Sequence, residues 1–141
     1  MSVLKLSDTI RVLRDVVVNQ PGEGSRVKPT TIKVEFELRT VTQEDEASEE
    51  VLAKPRRAPE MTDEDWDEVM RGYERRLRLY QYNKMCEVVV GWPSQAALVG
   101  ADDAPLAYSE DAKRQLLDVP YVLTAVVASY EKAIKGAKAG N

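Results

Sequence analysis

Apolar and charged residues alternate without a break from Thr31 to Thr40: Ile32, Val34, Phe36 and Leu38 against Lys33, Glu35, Glu37 and Arg39. A period of two puts one set on each face of a sheet, so this stretch is predicted to be a strand. Ile10 to Val18 is rich in β-branched residues, but its alternation slips at Leu13 and again in the Val16-Val17-Val18 run. A strand with a bulge accounts for the slip. A short helix capped by Ser7 or Asp8 is the competing reading. Pro21-Gly22-Glu23-Gly24-Ser25 lies between the two and is turn chemistry, which predicts an antiparallel β-hairpin over residues 1–42. Two strands alone are only marginally stable, so helices must cover one face or a further strand must join.

Residues 43–60 read as a linker. Gln43 to Glu50 is acidic and nearly devoid of apolar residues, and Lys54-Pro55-Arg56-Arg57-Ala58-Pro59 contains two prolines. A helical turn around Ala47 to Leu52 is the only regular structure expected there.

The pattern then turns helical over residues 61–135. Thr62 is placed to cap a helix, and Asp63, Glu64, Asp65, Asp67 and Glu68 suit the positive end of its dipole. Trp66, Met70, Tyr73, Leu77 and Tyr80 form one stripe at spacings of four and three. Asp67–Arg71 and Glu74–Arg78 stand at the spacing of surface ion pairs, worth a few tenths of a kcal/mol each. A helix continuing to Val90 is ~40 Å long at 1.5 Å per residue, more than a compact domain of this size needs. It must break near Asn83, break before Val88-Val89-Val90, or protrude. Gly72 within it costs up to ~1 kcal/mol relative to Ala, which points to a close packing contact.

Pro93 stops regular structure after Trp92. Ser109 is the next cap, followed by Glu110, Asp111 and a buried Leu116-Leu117 pair. Pro120 fits the first turn of a last helix whose apolar face is Val122, Val126, Val127, Tyr130 and Ile134. Lys132, Lys135 and Lys138 complement its negative end. Gly136 and Gly140 loosen residues 136–141 into a fraying tail. The expected class is α+β: a hairpin or slightly larger sheet packed on three to four helices, one of them long.

Composition narrows the function more than the fold. The chain has 141 residues, enough for one domain with a core of its own. A net charge of −4 argues against a general nucleic-acid binder, which needs a basic face. Cys86 is the only cysteine and there is no histidine, so no intrachain disulfide forms and the usual proton shuttle and zinc ligand are missing. A reducing cytoplasm suits the single thiol. Met1 to Asp8 lacks the features of a signal peptide. The most apolar run, Tyr121 to Tyr130, is about half of what a bilayer span needs.

Each candidate for chemistry has a plainer account. The acids of Asp63 to Glu68 lack the ligand spacing of a calcium loop and sit where a helix start wants negative charge. Arg71, Arg75, Arg76 and Arg78 could line a nucleic-acid stripe beside Tyr73 and Tyr80, but neighbouring acids cancel much of that field. A face for an acidic protein partner, or a solvated face, fits them better. Cys86 has no activating base and reads as an inert buried thiol. Asp102 and Asp103, adjacent in a loop, diverge into water. Trp66 and Trp92 are most simply core anchors, and only Trp92, beside an irregular loop, has a claim on a partner surface. No catalytic residue, metal or cofactor is expected.

One ordered series remains. Gly91-Trp92 is followed by acidic Asp102-Asp103, then Pro105, Leu106, Tyr108 and Ser109, then Leu116-Leu117, Pro120, Val122 and Tyr130. Upstream stand Val16 to Val18, Pro21-Gly22, Thr30 to Leu38 and Thr42-Gln43-Glu44-Asp45. The series resembles the tail assembly chaperones of long-tailed bacteriophages and covers most of the chain, except Ala47 to Pro59. It departs from the family where an Asp-Gly turn commonly precedes the Pro-Leu pair: here Asp102-Asp103-Ala104 lacks the glycine.

The resemblance implies a non-enzymatic protein that holds the tape measure protein soluble and extended. It also implies recruitment of tail tube subunits, through a longer frameshifted form, and several copies per client, hence self-association. The protein would work in the cytoplasm of the bacterial host and be absent from the mature virion. The helix stripe of Trp66, Met70, Tyr73, Leu77 and Tyr80 is one candidate binding surface. The loop with Trp92, Pro105, Leu106 and Tyr108 is another. A structural tail component retained in the virion and a small nucleic-acid-binding regulator are the alternatives.

Overall fold

The computed structural model describes residues 2–6, 9–45 and 53–136. The expected caps Ser7 and Asp8, the turn at 47–52 and residues 137–141 of the tail lie outside them. Strand β1 (Ile10–Pro21) and strand β2 (Val27–Leu38) pair antiparallel in one unbroken register, from Ile10 opposite Leu38 to Pro21 opposite Val27. Gly22 closes the turn by donating its N–H to the Arg26 carbonyl at 2.8 Å, and Gly24 takes φ +65°, a conformation that suits glycine. The strand reading of Ile10 to Val18 therefore holds over the helical one.

The bulge expected in β1 is absent. Val16 and Val18 face the core, whereas Leu13 and Val17 stand on the outer face, 50% and 42% exposed. The slip in the pattern records apolar residues on the wet side of the sheet, not an extra residue in the strand. The irregularity sits elsewhere, between Glu35 and Phe36, where β2 meets strand β3 (Val89–Gly91). β3 makes the hairpin a three-stranded sheet in the order β1-β2-β3.

Beyond β3, the Gln95 side chain stands in for a strand. It accepts from the Lys33 N–H at 2.7 Å and donates to the Lys33 carbonyl at 2.9 Å.

Helix α1 (Val41–Asp45) occupies the first part of the expected linker. Thr40 and Gln43 cap it reciprocally: the Thr40 N–H donates to Gln43 Oε1 at 2.9 Å, and the Gln43 N–H donates to Thr40 Oγ1 at 3.3 Å. Helix α2 (Asp63–Val88) starts with the same device built from Thr62 and Asp65. It runs unbroken past Asn83 for 26 residues, roughly 39 Å. It stops where the β-branched run becomes β3. Helices α3 (Glu110–Leu117) and α4 (Pro120–Ile134) begin at Ser109 and Pro120 as expected. Gly136, at φ +75°, follows the end of α4.

The core lies between the inner sheet face and the helices. Val16, Val18, Ile32, Val34 and Phe36 meet Val122, Leu123, Val126 and Tyr130 of α4, together with Met85 and Val88 of α2. Phe36 and Tyr130 form its centre, ring edge to ring face, with centroids 5.7 Å apart. Among the described residues no helix is long and apolar enough to cross a membrane.

Candidate functional site

Helix α2 carries two apolar faces. In its last two turns Tyr82, Met85, Cys86 and Val88 belong to the core or pack against it. Followed back towards the N-terminus, the same line of the helix becomes Arg78, Glu74, Arg71 and Asp67, all exposed. A charged line cannot pack on an apolar core, so N-terminal to Gln81 this line of α2 lies outside the core. The stripe of Trp66, Met70, Tyr73, Leu77 and Tyr80 is centred roughly a third of a turn away from that line, at 100° per residue. All five are half-buried and none joins the core cluster.

Trp66 is thus not the core anchor expected of it. The close contact expected at Gly72 is also missing among the described residues, where a Cβ would meet only the flexible Arg76 guanidinium, at 3.6 Å. Neither Asp67–Arg71 nor Glu74–Arg78 closes into an ion pair; the helix start rests on its cap, its dipole and an ion pair from Arg57 to Asp63 at 2.6 Å. Cys86 is half-buried against the core.

A polar cluster anchors the lower end of the stripe. Lys84 of α2 pairs with Glu44 of α1, and Glu44 Oε1 accepts from the Tyr130 hydroxyl at 2.8 Å. That hydroxyl accepts in turn from the Arg39 main-chain N–H at 3.2 Å, while the Arg39 side chain pairs with Glu87. Burial, seconded by the Glu44 carboxylate, pushes the Tyr130 hydroxyl well above the usual tyrosine value, so it stays a donor. Three helices and the residue that follows β2 meet here, which fixes the C-terminal part of α2 rigidly to the domain. A groove of about 360 Å³ runs beside it, between Arg39 and the Arg76, Leu79 and Tyr80 side of α2. Nothing in local sequence pattern marks this cluster, because its members are far apart along the chain.

The second candidate surface is folded in on itself. Trp92 is 8% exposed, its indole N–H donates to the Leu106 carbonyl at 2.8 Å, and its ring stands edge-on to Tyr108 at 4.9 Å. Leu98 and Leu106 join through a hydrogen bond of 3.0 Å, and Gly100 to Ala104 forms the tip. Asp103 takes φ +61°, the left-handed conformation that a glycine would adopt and that Asp tolerates among non-glycine residues. Pro105 remains exposed, while Leu106 and Tyr108 are half-buried against the core. The structure brings Trp92, Leu106 and Tyr108 together and leaves them apart from the stripe.

Lys113, which the sequence reading passed over, supports this loop. It is 5% exposed, donates to the Val89 carbonyl at 3.2 Å and pairs with Glu110 at 3.0 Å. Burial alone would pull its ammonium down, but Glu110 and the Tyr108 hydroxyl outweigh that and hold it above the ordinary lysine value. The hydrogen bond and charge of Lys113 hold the Glu110 carboxyl below the usual range. A depressed carboxylate stabilises the fold above its unfolded-state pKa, and that contribution is lost as pH falls through the folded value. Glu110→Gln is therefore expected to lower the urea midpoint at neutral pH, with the gap to wild type closing in acid. A pH series of urea titrations checks this, and a gap constant with pH would contradict it.

The chain matches no protein-family model, no curated protein and no solved structure.

Proposed function

We propose that this chain is a non-enzymatic tail assembly chaperone of a long-tailed bacteriophage. It binds the tape measure protein, keeps it soluble, helps recruit tail tube subunits and leaves before the virion is complete. The ordered resemblance along the sequence supports this reading. The structural observation that carries it is the apolar stripe on the N-terminal part of α2, half-buried and outside the core. A tape measure chain exposes long apolar helical segments, and a holder must bury such segments reversibly. A helix face of three aromatic rings, Trp66, Tyr73 and Tyr80, with Met70 and Leu77 between them, offers that burial without chemistry.

Co-expression with the tape measure protein tests the proposal. The expected result is a soluble complex that purifies as one species, with this chain missing from mass spectra of finished particles. A client that precipitates equally with and without the chain overturns the chaperone role. Retention in finished particles makes it a structural tail component instead.

A further inference from the structure

The two edges of the sheet are treated differently. On the β2 side β3 pairs, Gln95 occupies the Lys33 backbone, and Pro29 has no N–H to present. On the other side β1 is the edge strand, and among the described residues no strand pairs with its outer edge. The Ser129 hydroxyl donates to the Asp15 carbonyl at 3.2 Å from α4, which shows that Asp15 turns its backbone outward. Antiparallel alternation then turns Val17 and Asn19 the same way. Beside them lies a groove of about 490 Å³, floored on α4 by Tyr121, Ala125 and Ala128, with Lys132 at one end. The Asp15 carbonyl keeps a second lone pair beside its bond from Ser129, and a long edge strand with apolar side chains and backbone groups turned outward invites another strand.

α4 packs mainly beneath β1. Two copies cannot simply pair their β1 strands, because paired strands lie about 4.8 Å apart whereas packed helices need about 8–10 Å. The occupant must be an extended segment with no helix under it. The chain has one: residues 2–6, in no helix or strand, with Val3, Leu4 and Leu6 each at least 80% exposed. Its own groove is out of reach. Turning back through residues 7–9, it would come alongside residues 10–14 and stop short of Asp15 to Asn19.

We propose that residues 2–6 of a second copy add as a strand to the β1 edge along Arg14 to Val18. An antiparallel register with Lys5 opposite Asp15 brings a second cation to a half-exposed carboxylate that already pairs with Lys33 at 3.1 Å, and sets Val3 opposite Val17 on the outer face. Leu4 then lies on the inner side, next to Val16, above the small residues Ala125 and Ala128. The site is separate from the α2 stripe and does not depend on the client.

Analytical ultracentrifugation of two variants tests this. One lacks residues 2–6. The other, Ala128→Trp, fills the groove at a position exposed in the single chain, where the fold has room for the ring. Wild type is expected to self-associate, and each variant alone to do so on the order of tenfold more weakly or worse, with unchanged circular dichroism. An equimolar mixture of the two is expected to form a one-to-one complex, since one supplies the segment and the other the groove. A wild type that stays monomeric, variants that associate like wild type, or a mixture that does not associate each overturns the proposal.

Discussion

Phe36→Ala is expected to lower the stability of the fold by about 3–5 kcal/mol. Phe36 is fully buried at the junction of sheet and helices, and its ring meets Tyr130 edge to face. Deleting it removes that contact and leaves a cavity that the neighbouring strand positions Val34 and Leu38 cannot fill without moving the sheet. Domains of this size have only about 5–15 kcal/mol in hand, so much of the population is expected to unfold at physiological temperature. The control is Leu13→Ala on the opposite face of the sheet. Leu13 is half-exposed, and its removal is expected to change stability by less than about 1 kcal/mol. Urea titration of both variants checks the contrast. Equal losses would mean that the sheet is covered on both faces.

The stripe on α2 is expected to behave in the opposite way. Replacing Tyr73 and Leu77 together by Asp should leave stability within about 1 kcal/mol of wild type, because neither residue joins the core. The same change places two carboxylates in the middle of the apolar stripe, where a client helix would have to desolvate them. Loss of two central anchors is expected to weaken tape measure binding by at least about a hundredfold. Co-purification and titration calorimetry read the binding, and thermal unfolding reads the fold. A double variant that unfolds as readily as Phe36→Ala would return the stripe to the core.

How far the sequence could be read follows the range of each interaction. β2 was legible because one face is apolar and the other charged, residue by residue. The starts of α2, α3 and α4 were legible because Thr62, Ser109 and Pro120 act on the turn that follows them. α1 was within reach: Thr40 and Gln43 have capping-box spacing, a signal overshadowed by the acidic composition downstream. The departure of this side of α2 from the core was also written locally, in the charged line of Asp67, Arg71, Glu74 and Arg78.

Other features had no local sign. β3 exists because β2 offers an edge to three residues that follow a helix. Lys113 is buried because Val89 supplies a carbonyl from a distant part of the chain. Gln95 caps β2 across 62 positions, and Tyr130 reaches Glu44 across 86. Pattern reading within a window of a dozen residues cannot foresee such pairs.

Of the two surfaces expected to meet a partner, the α2 stripe keeps its claim and the loop is largely spent on itself. Trp92 gives its indole N–H to the Leu106 carbonyl and packs its ring against Tyr108, and at 8% exposure little of it remains for another molecule. Trp66, by contrast, sits half-buried at the outer end of the stripe.

The emission of Trp66 tests this most directly. In a Trp92→Phe variant it is the sole tryptophan, and a tryptophan-free segment of tape measure protein can be titrated against it. A shift to shorter wavelength, saturating with the complex, is expected as the indole leaves water. A complex that forms while the emission stays where it was would place the client elsewhere and contradict the account.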